Sequence, residues 1–459
     1  MTLSGYIQSI KDKRIAVVGI GVSNTPLIER LLRDGCDVTA CDRSERSKLG
    51  ALADDLARRG ARLRLGGDYL KALDADVIFR TPGMRPDLPE LLDAVERGAV
   101  LTSEMEVFFD VCPCRIVGVT GSDGKTTTTT IIAKLLEAGG HTVHLGGNIG
   151  TPLLAGADAM VETDIAVLEL SSFQLMTMKK SPSVAVVTNL TPNHLDMHCD
   201  LDEYVEAKRN ILRYQSAADI AVLNLDYETT RAFAETVPGE VRFFSRRSRV
   251  ENGVFLENGT IFEAEDGDLT PVLEASDILL RGVHNIENYM AAFAAVRGLA
   301  RHEACRRVAG SFGGVEHRCE LVRTLRGVEY YNDSIASSPT RTTAGLRSFE
   351  QKVILIAGGK DKGIEFDALG PEIVSCVKTL VLTGMTGEKI KQAVLNTPGY
   401  RGSPHIIEKP DFREAVLAAH GAAEPGDIVV LSPASTSFDR FKNFEERGNT
   451  YKEIILSLE

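Results

Sequence analysis

The chain has 459 residues, of which 43% are hydrophobic and 25% charged, and a formal net charge of −12. Such a length predicts about three domains with several apolar cores, and so acidic a chain is not a general nucleic-acid binder, because duplex affinity rests on neutralising phosphates. MTLSGYIQSIKDKR at the N-terminus lacks the apolar stretch of a signal peptide, and no run approaches a membrane span, so no membrane insertion is expected.

Arg14 to Gly19, Asp37 to Cys41, Arg62 to Leu65 and Asp76 to Arg80 read as buried strands. Helical segments such as Leu27 to Leu32 and Lys48 to Arg58 lie between them, which predicts a parallel sheet covered on both faces. After the first strand, Gly19-Ile20-Gly21 is followed by Asn24, with Asp42 about twenty residues on. This is either a diphosphate-binding turn or a plain Rossmann-like turn, because Asn24 stands where a third glycine is usual. Thr81-Pro82-Gly83 after the fourth strand is placed on the same C-terminal edge. Cys112-Pro113-Cys114 has CxC spacing rather than CxxC, and the eight cysteines are read as reduced thiols in a cytoplasmic protein.

A second α/β unit begins with Ile116 to Thr120 and runs into Gly121-Ser122-Asp123-Gly124-Lys125-Thr126-Thr127. A strand ends, glycines expose backbone N–H groups, and a helix begins at Lys125 with its positive end toward bound phosphate. Lys125 would reach the outer phosphates and the Thr126 hydroxyl would hold Mg²⁺. The usual GxxxxGK[ST] spacing wants glycine at position 119, where this chain has Val119, so the loop is a variant. Further strands are expected at Ile165 to Leu170, Val184 to Asn189 and Ile220 to Asn224, with a hairpin at Gly253 to Phe262 and a helix from Asn285 to Ala300. Glu169 ends one strand, where a P-loop sheet needs a second metal ligand; a paired structural glutamate is the plainer alternative. His194 follows the next strand and could ligate metal with it. Ser311 to Glu316 supplies a hinge before a third α/β unit, with strands near Glu320 to Thr324, Val328 to Asn332, Lys352 to Ala357, Thr379 to Leu382 and Ile428 to Leu431.

TGSDGKTT, GNIGTPLL, LELSSFQL and NLTPNHLD occur in this order, followed by EAKRNI (Glu206 to Ile211), HNIEN (His284 to Asn288), EHR (Glu316 to Arg318) and NDS (Asn332 to Ser334). Together they resemble the ATP-dependent Mur ligase superfamily over essentially the whole chain, and LSPASTSFDRFKNFEERG (Leu431 to Gly448) narrows the resemblance to its D-glutamate-adding branch. The resemblance implies three α/β domains. These are a Rossmann-like N-terminal domain for the UDP substrate over residues 1–105, a central P-loop ATPase-like domain with a mostly parallel sheet over 106–314, and a C-terminal Rossmann-like domain for the amino acid over 315–459. It further implies a cytoplasmic, monomeric ligase of peptidoglycan precursor synthesis that uses ATP, Mg²⁺ (two ions), UDP-N-acetylmuramoyl-L-alanine and D-glutamate, with no nucleic-acid partner.

Residue by residue, Lys125 and Thr126 carry over as P-loop residues and Glu169 and His194 as metal ligands. Lys208 matches a lysine carried as a carbamate that helps hold the second Mg²⁺, which requires a lowered pKa; its neighbours Glu206 and Arg209 alone suggest an ordinary exposed lysine. Asn285 and Asn288 match positions near adenine, although their spacing also suits capping, and Arg318 and Asp333 match residues that grip the nucleotide. Gly21, Asp42, Thr81, Pro82, Gly83 and Asn148 would line the UDP-substrate site, while Ser337, Lys362, Ser437 and Phe444 would hold D-glutamate, with Lys360 a competing cation beside Lys362. One departure is Ile335, which stands where the family often has lysine after NDS; another is Ser337, where threonine is common. Alternatives are a related ligase adding another amino acid, a non-catalytic nucleotide-binding homologue, and, from Gly19-Ile20-Gly21, a dehydrogenase.

Overall fold

A computed structural model describes residues 1–190, 198–280, 282–361 and 363–459. The predicted positions His194 and Lys362 lie outside the described residues. The chain forms two compact units, one of Met1–Ile278 with Val283–Gly310 and the other of Leu279–Gly282 with Ser311–Glu459.

The first unit holds two sheets. β1 (Arg14–Val18), β2 (Asp37–Asp42), β3 (Arg62–Leu65), β4 (Val77–Arg80) and β5 (Val100–Ser103) form a parallel sheet in the order β3-β2-β1-β4-β5. β1 lies between β2 and β4, so the chain order reverses there and leaves a crevice at the C-terminal edge, where such sheets bind ligands. The single helix read over Lys48 to Arg58 is two short ones, Arg46–Leu49 and Ala51–Arg58, because Gly50 at φ +53 breaks the run.

The second sheet comprises β6 (Arg115–Thr120), β7 (Val143–Gly147), β8 (Ile165–Glu169), β9 (Val184–Val187), β10 (Ile220–Asn224), β11 (Glu240–Ser245), β12 (Gly253–Glu257), β13 (Thr260–Glu265) and β14 (Asp268–Glu274). Its order is β14-β13-β12-β11-β10-β9-β6-β8-β7, parallel except for the two antiparallel pairs β12–β13 and β13–β14. The expected hairpin at Gly253 turns through Asn258 and Gly259 at φ +49 and +87, a conformation that Asn-Gly favours. β6 is flanked by β8 and β9, so the loop after β6 opens between the ends of its two neighbours. The predicted Asn285 to Ala300 helix is Val283–Val296; it packs on the Lys125–Ala138 helix, and Leu299 and Ala300 bond back to the Val296 carbonyl as it ends.

The second unit is a six-stranded sheet, β15 (Glu320–Leu325), β16 (Val328–Asn332), β17 (Val353–Ala357), β18 (Val377–Leu382), β19 (His405–Glu408) and β20 (Ile428–Leu431), in the order β15-β16-β20-β17-β18-β19. Only the β15–β16 pair is antiparallel. Separate apolar clusters lie on its two faces, one around Leu355, Leu380 and Ile390 and the other around Ile354, Val416 and Tyr451, as expected of a doubly covered sheet.

Candidate active site

Gly121 sits at φ +151, and a Cβ there would lie 1.9 Å from Thr188 Oγ1. Gly124 sits at φ +77, where a Cβ would lie 2.3 Å from Asn288 Oδ1. Both glycines are therefore required by close packing, which pulls the loop onto the end of β9: the Ser122 N–H donates to the Asn189 carbonyl at 2.9 Å and the Asp123 N–H to Asn189 Oδ1 at 3.0 Å. Lys125 starts the following helix and folds over the loop, its Nζ donating to the carbonyls of Gly121 and Ser122 at 3.0 and 2.8 Å. Thr127 is half-buried one residue beyond Thr126.

The Thr126 hydroxyl donates to Glu169 Oε2 at 2.7 Å, and Asn148 Nδ2 donates to Glu169 Oε1 at 2.9 Å. Asn148 is thus held against the acidic strand end, its backbone N–H also bonding the Glu169 carbonyl at 2.8 Å. Glu169 is 2% exposed, and among the described residues no ion pair reaches it. The Glu169 carboxylate and the Thr126 hydroxyl bring two oxygen donors together at a buried strand end, a donor chemistry that fits Mg²⁺.

Lys208 lies on the Leu201–Arg213 helix with only 2% exposure, so it is not the ordinary surface lysine its neighbours suggest. Its Nζ donates to Thr120 Oγ1 at 3.3 Å and sits 4.9 Å from the Tyr204 ring centroid. Burial, and then the nearby Lys125 ammonium, pushes its pKa well below the usual lysine range, toward the neutral amine. One turn earlier, Tyr204 shares a 2.8 Å hydrogen bond between its hydroxyl and that of Ser122 in the loop. Tyr204 was not among the expected site residues; its spacing of four from Lys208, which puts both on one helix face, is the available signal.

Asp123, Gly124, Thr188, Asn189, Phe244, His284, Glu287 and Asn288 line a cleft beside the loop. Asn288 donates to Asn285 Oδ1 at 2.9 Å and accepts from Thr128 Oγ1 at 3.1 Å, so the pair pins one helix to the other. Only Asn288 of the two lines the cleft, and Phe244 from β11 is a member that the sequence reading missed.

At the first sheet's edge, Gly19, Gly21, Asp42 and Thr81-Pro82-Gly83 follow or end the neighbouring strands β1, β2 and β4. A Cβ on Gly19, at φ +95, would lie 2.7 Å from Thr81 Cβ, so glycine allows the two loops to meet. Asp42 holds the turn: its carboxylate accepts from the N–H groups of Ile20 and Ser44, each at 2.7 Å. Asn24 replaces the third glycine by donating to the carbonyls of Val18 and Gly19 at 3.1 Å each, closing the strand end with a side chain.

In the second unit, Asp333 after β16 is buried, and its carboxylate accepts from Ser432 Oγ at 2.8 Å and the Cys319 N–H at 3.2 Å; burial pushes its pKa up to about 6. Arg318 is exposed in the preceding loop, and Ser337 is half-buried. Arg447, missed from sequence, is 2% exposed and ties three segments together, donating to Ser334 Oγ and O at 3.0 and 2.8 Å and to the Ser435 carbonyl at 3.1 Å. Ser334 in turn donates to the Phe444 carbonyl at 2.7 Å. The loops bearing Ser337, buried Ser437 and Phe444 are therefore anchored through one guanidinium, and the Lys360 N–H joins them by donating to the Thr436 carbonyl at 2.8 Å. Ile335 occupies the place after NDS, where its carbonyl accepts from Arg341 Nη1 at 3.2 Å and the Ser337 N–H at 2.8 Å.

Residues 119–296 match the family description "Mur ligase middle domain", and residues 317–435 match "Mur ligase, glutamate ligase domain". The UDP-N-acetylmuramoylalanine--D-glutamate ligase of Ruminiclostridium cellulolyticum is 53% identical over 460 residues, covering 99% of each chain. The ligase of the same name from Acetivibrio thermocellus is 53% identical over 100% of this chain and 99% of its own, and that of Clostridium novyi 50% identical with the same coverage. Among solved structures, UDP-N-acetylmuramate-alanine ligase from Thermotoga maritima shares the fold, with a TM-score of 0.57 and 18% identity over 97% of this chain and 99% of its own. A UDP-N-acetylmuramoyl-L-alanyl-D-glutamate--2,6-diaminopimelate ligase does likewise, with a TM-score of 0.55 and 19% identity over 97% and 92%. This chain belongs to the Mur ligase family, within its UDP-N-acetylmuramoylalanine--D-glutamate ligases.

Proposed function

We propose that the protein joins D-glutamate to UDP-N-acetylmuramoyl-L-alanine at the expense of ATP, releasing ADP and phosphate, in peptidoglycan precursor synthesis. The observation that carries this reading is 53% identity along the whole chain to ligases of that name, together with a glycine loop, buried acid and buried lysine gathered at the ends of the adjacent strands β6 and β8. A carboxylate is a poor acyl donor because oxide would have to leave. The substrate carboxylate oxygen therefore attacks the γ-phosphorus, the bond to the ADP oxygen breaks, and an acyl phosphate forms. The glutamate amine, having lost its proton, then attacks the acyl carbon and phosphate departs.

Lys125, whose Nζ lies against the glycine loop, would compensate the charge that gathers as two anions approach. Thr126 and Glu169 would hold Mg²⁺, with His194 as a further ligand, and the ion would supply charge neutralisation at the phosphates. Burial of Lys208 lowers its pKa toward the neutral amine that carbamate formation with CO₂ requires, and this direction supports reading Lys208 as a carbamylated additional ligand. The cleft lined by Asn288 and Phe244 suits a flat adenine ring, and the crevice at Gly21, Asp42 and Thr81 suits the uridine diphosphate end. Ser337, Ser437, Phe444 and one of the cations Lys360 and Lys362 are assigned to the acceptor. We assign residues 1–105, 106–314 and 315–459 to the three corresponding domains. A coupled phosphate-release assay with D-glutamate, L-glutamate, L-alanine and L-lysine tests the reading. Release with D-glutamate alone is expected, and preference for any other acceptor contradicts it.

A further inference from the structure

Two guanidinium groups tie the loop after β4 to the phosphoryl-transfer centre. Arg80, 1% exposed at the end of β4, donates through Nη1 to the Met84 carbonyl at 2.9 Å and through Nη2 to the Phe173 carbonyl at 3.1 Å and Thr177 Oγ1 at 2.7 Å. It thus grips its own loop on one side and, on the other, the short helix that begins three residues after Glu169. Arg85 lies in the same loop and binds Glu203 with two hydrogen bonds, at 3.0 and 2.8 Å, while Asp87 holds it from behind at 2.9 and 2.7 Å.

Glu203 stands in the first turn of the helix that carries Tyr204 and Lys208. Its Oε2 also accepts from the Cys199 N–H at 2.8 Å and faces His198 Nδ1 at 3.2 Å. The His198 side chain is fully buried; its Nε2 pairs with Ser172 Oγ at 2.9 Å, and its ring stacks on Phe173 at 4.9 Å and meets Tyr204 edge-on at 5.3 Å. The chain of contacts therefore runs from the loop that contains Thr81-Pro82-Gly83, through Arg85, Glu203 and His198, to the segment after Glu169. Tyr204 on the same helix carries it on to Ser122 of the glycine loop and to Lys208. A surface ion pair would not be backed by a buried histidine, a second carboxylate and a parallel guanidinium strut.

We propose that Arg85 and Glu203 are positioning residues for acyl-phosphate formation: they set the register of the helix bearing Tyr204 and Lys208 against the substrate loop of the first sheet. This rests on the ligase reading above. Occupancy of the crevice and alignment of the phosphoryl-transfer groups then become one event, because the loop cannot shift without moving Glu203.

The test compares Arg85→Gln, Glu203→Gln, the double variant and Arg85→Lys in the full chain. Readouts are kcat and KM for ATP and for UDP-N-acetylmuramoyl-L-alanine, ADP–ATP isotope exchange dependent on that substrate without an amino acid, and thermal unfolding. Each glutamine variant is expected to lose about ten-fold in kcat and in exchange, with the ATP KM within two-fold of wild type. The double variant should lose no more than the worse single one, as two residues acting through each other must, and Arg85→Lys should recover part of the loss. Unchanged kcat and exchange with a lowered melting temperature would show a structural tie only and overturn the proposal. So would losses that multiply in the double variant. An inactive wild-type chain would instead refute the ligase reading itself.

Discussion

Glu104, 5% exposed, opens the Glu104–Val111 helix, and its Oε1 accepts the Leu154 N–H at 3.1 Å, its one hydrogen bond among the described residues. Burial pushes its pKa up to about 7 from an ordinary 4.5, the single hydrogen bond offsetting only part of the desolvation. A raised carboxyl pKa means that the folded chain binds a proton the unfolded chain has released. Stability is therefore fully present below about pH 4.5 and is lost as pH rises through about 7. At about 1.4 kcal/mol per pKa unit, ionising Glu104 costs the fold about 3 kcal/mol at pH 8 and under about 1 kcal/mol at pH 5. Glu104→Gln keeps the acceptor for Leu154 and removes the charge, so the variant should gain roughly 2–3 kcal/mol on the wild type between those two pH values. Urea unfolding followed by far-UV circular dichroism at both pH values measures it. A variant whose stability difference from wild type is the same at pH 5 and pH 8 would refute the reasoning, as would one destabilised more at pH 8.

Gly121→Ala drives a Cβ to 1.9 Å from Thr188 Oγ1, which itself bonds the Asp123 carbonyl at 2.6 Å, so the glycine loop must move. Turnover should fall by about a hundred-fold or more with circular dichroism unchanged; a near-normal rate would remove the loop from the mechanism. Lys208→Ala should lose activity that small carboxylates such as formate or acetate partly restore, and full activity without them would end the case for a carbamate. Arg447→Ala strands the buried Ser334 and Ser435 carbonyls and should destabilise its unit by about 3 kcal/mol or more, read as a lower urea midpoint. An unchanged midpoint would show that those loops have another anchor.

The glycine loop, Glu169 and most strands were legible because their signals are local: a strand, a turn and a helix in succession, or an acid ending an apolar run. The burial of Lys208 was not. Its neighbours Glu206 and Arg209 are charged, and they pair with each other at 3.1 Å on the outer face, while Lys208 turns inward with Tyr204. Local composition cannot report which face a helix presents to a sheet it meets ninety residues away. β11 was missed because Arg242 interrupts its apolar run; the structure buries that guanidinium against the Ala294 carbonyl at 2.9 Å and the Glu240 carboxylate at 2.9 Å. β7 was missed because it ends in two glycines, which weaken any strand signal yet allow Gly147 to approach the Glu169 backbone. Asn24 broke the expected glycine pattern without breaking the turn, since its amide closes the same strand end through hydrogen bonds. Arg447 and Arg80 carry no local signal for burial, because contacts with segments far along the chain, Ser334 for Arg447 and Phe173 with Thr177 for Arg80, help to hold them.

The most direct test of the central claim is mass spectrometry of the nucleotide product after incubation with ATP, Mg²⁺, UDP-N-acetylmuramoyl-L-alanine and an equimolar mixture of D- and L-amino acids. The account predicts one new nucleotide, heavier by a single glutamyl residue and formed with one ADP and one phosphate per molecule, and predicts that it disappears when D-glutamate alone is omitted. A product carrying a different amino acid, or ADP formed with no new amide, would contradict it.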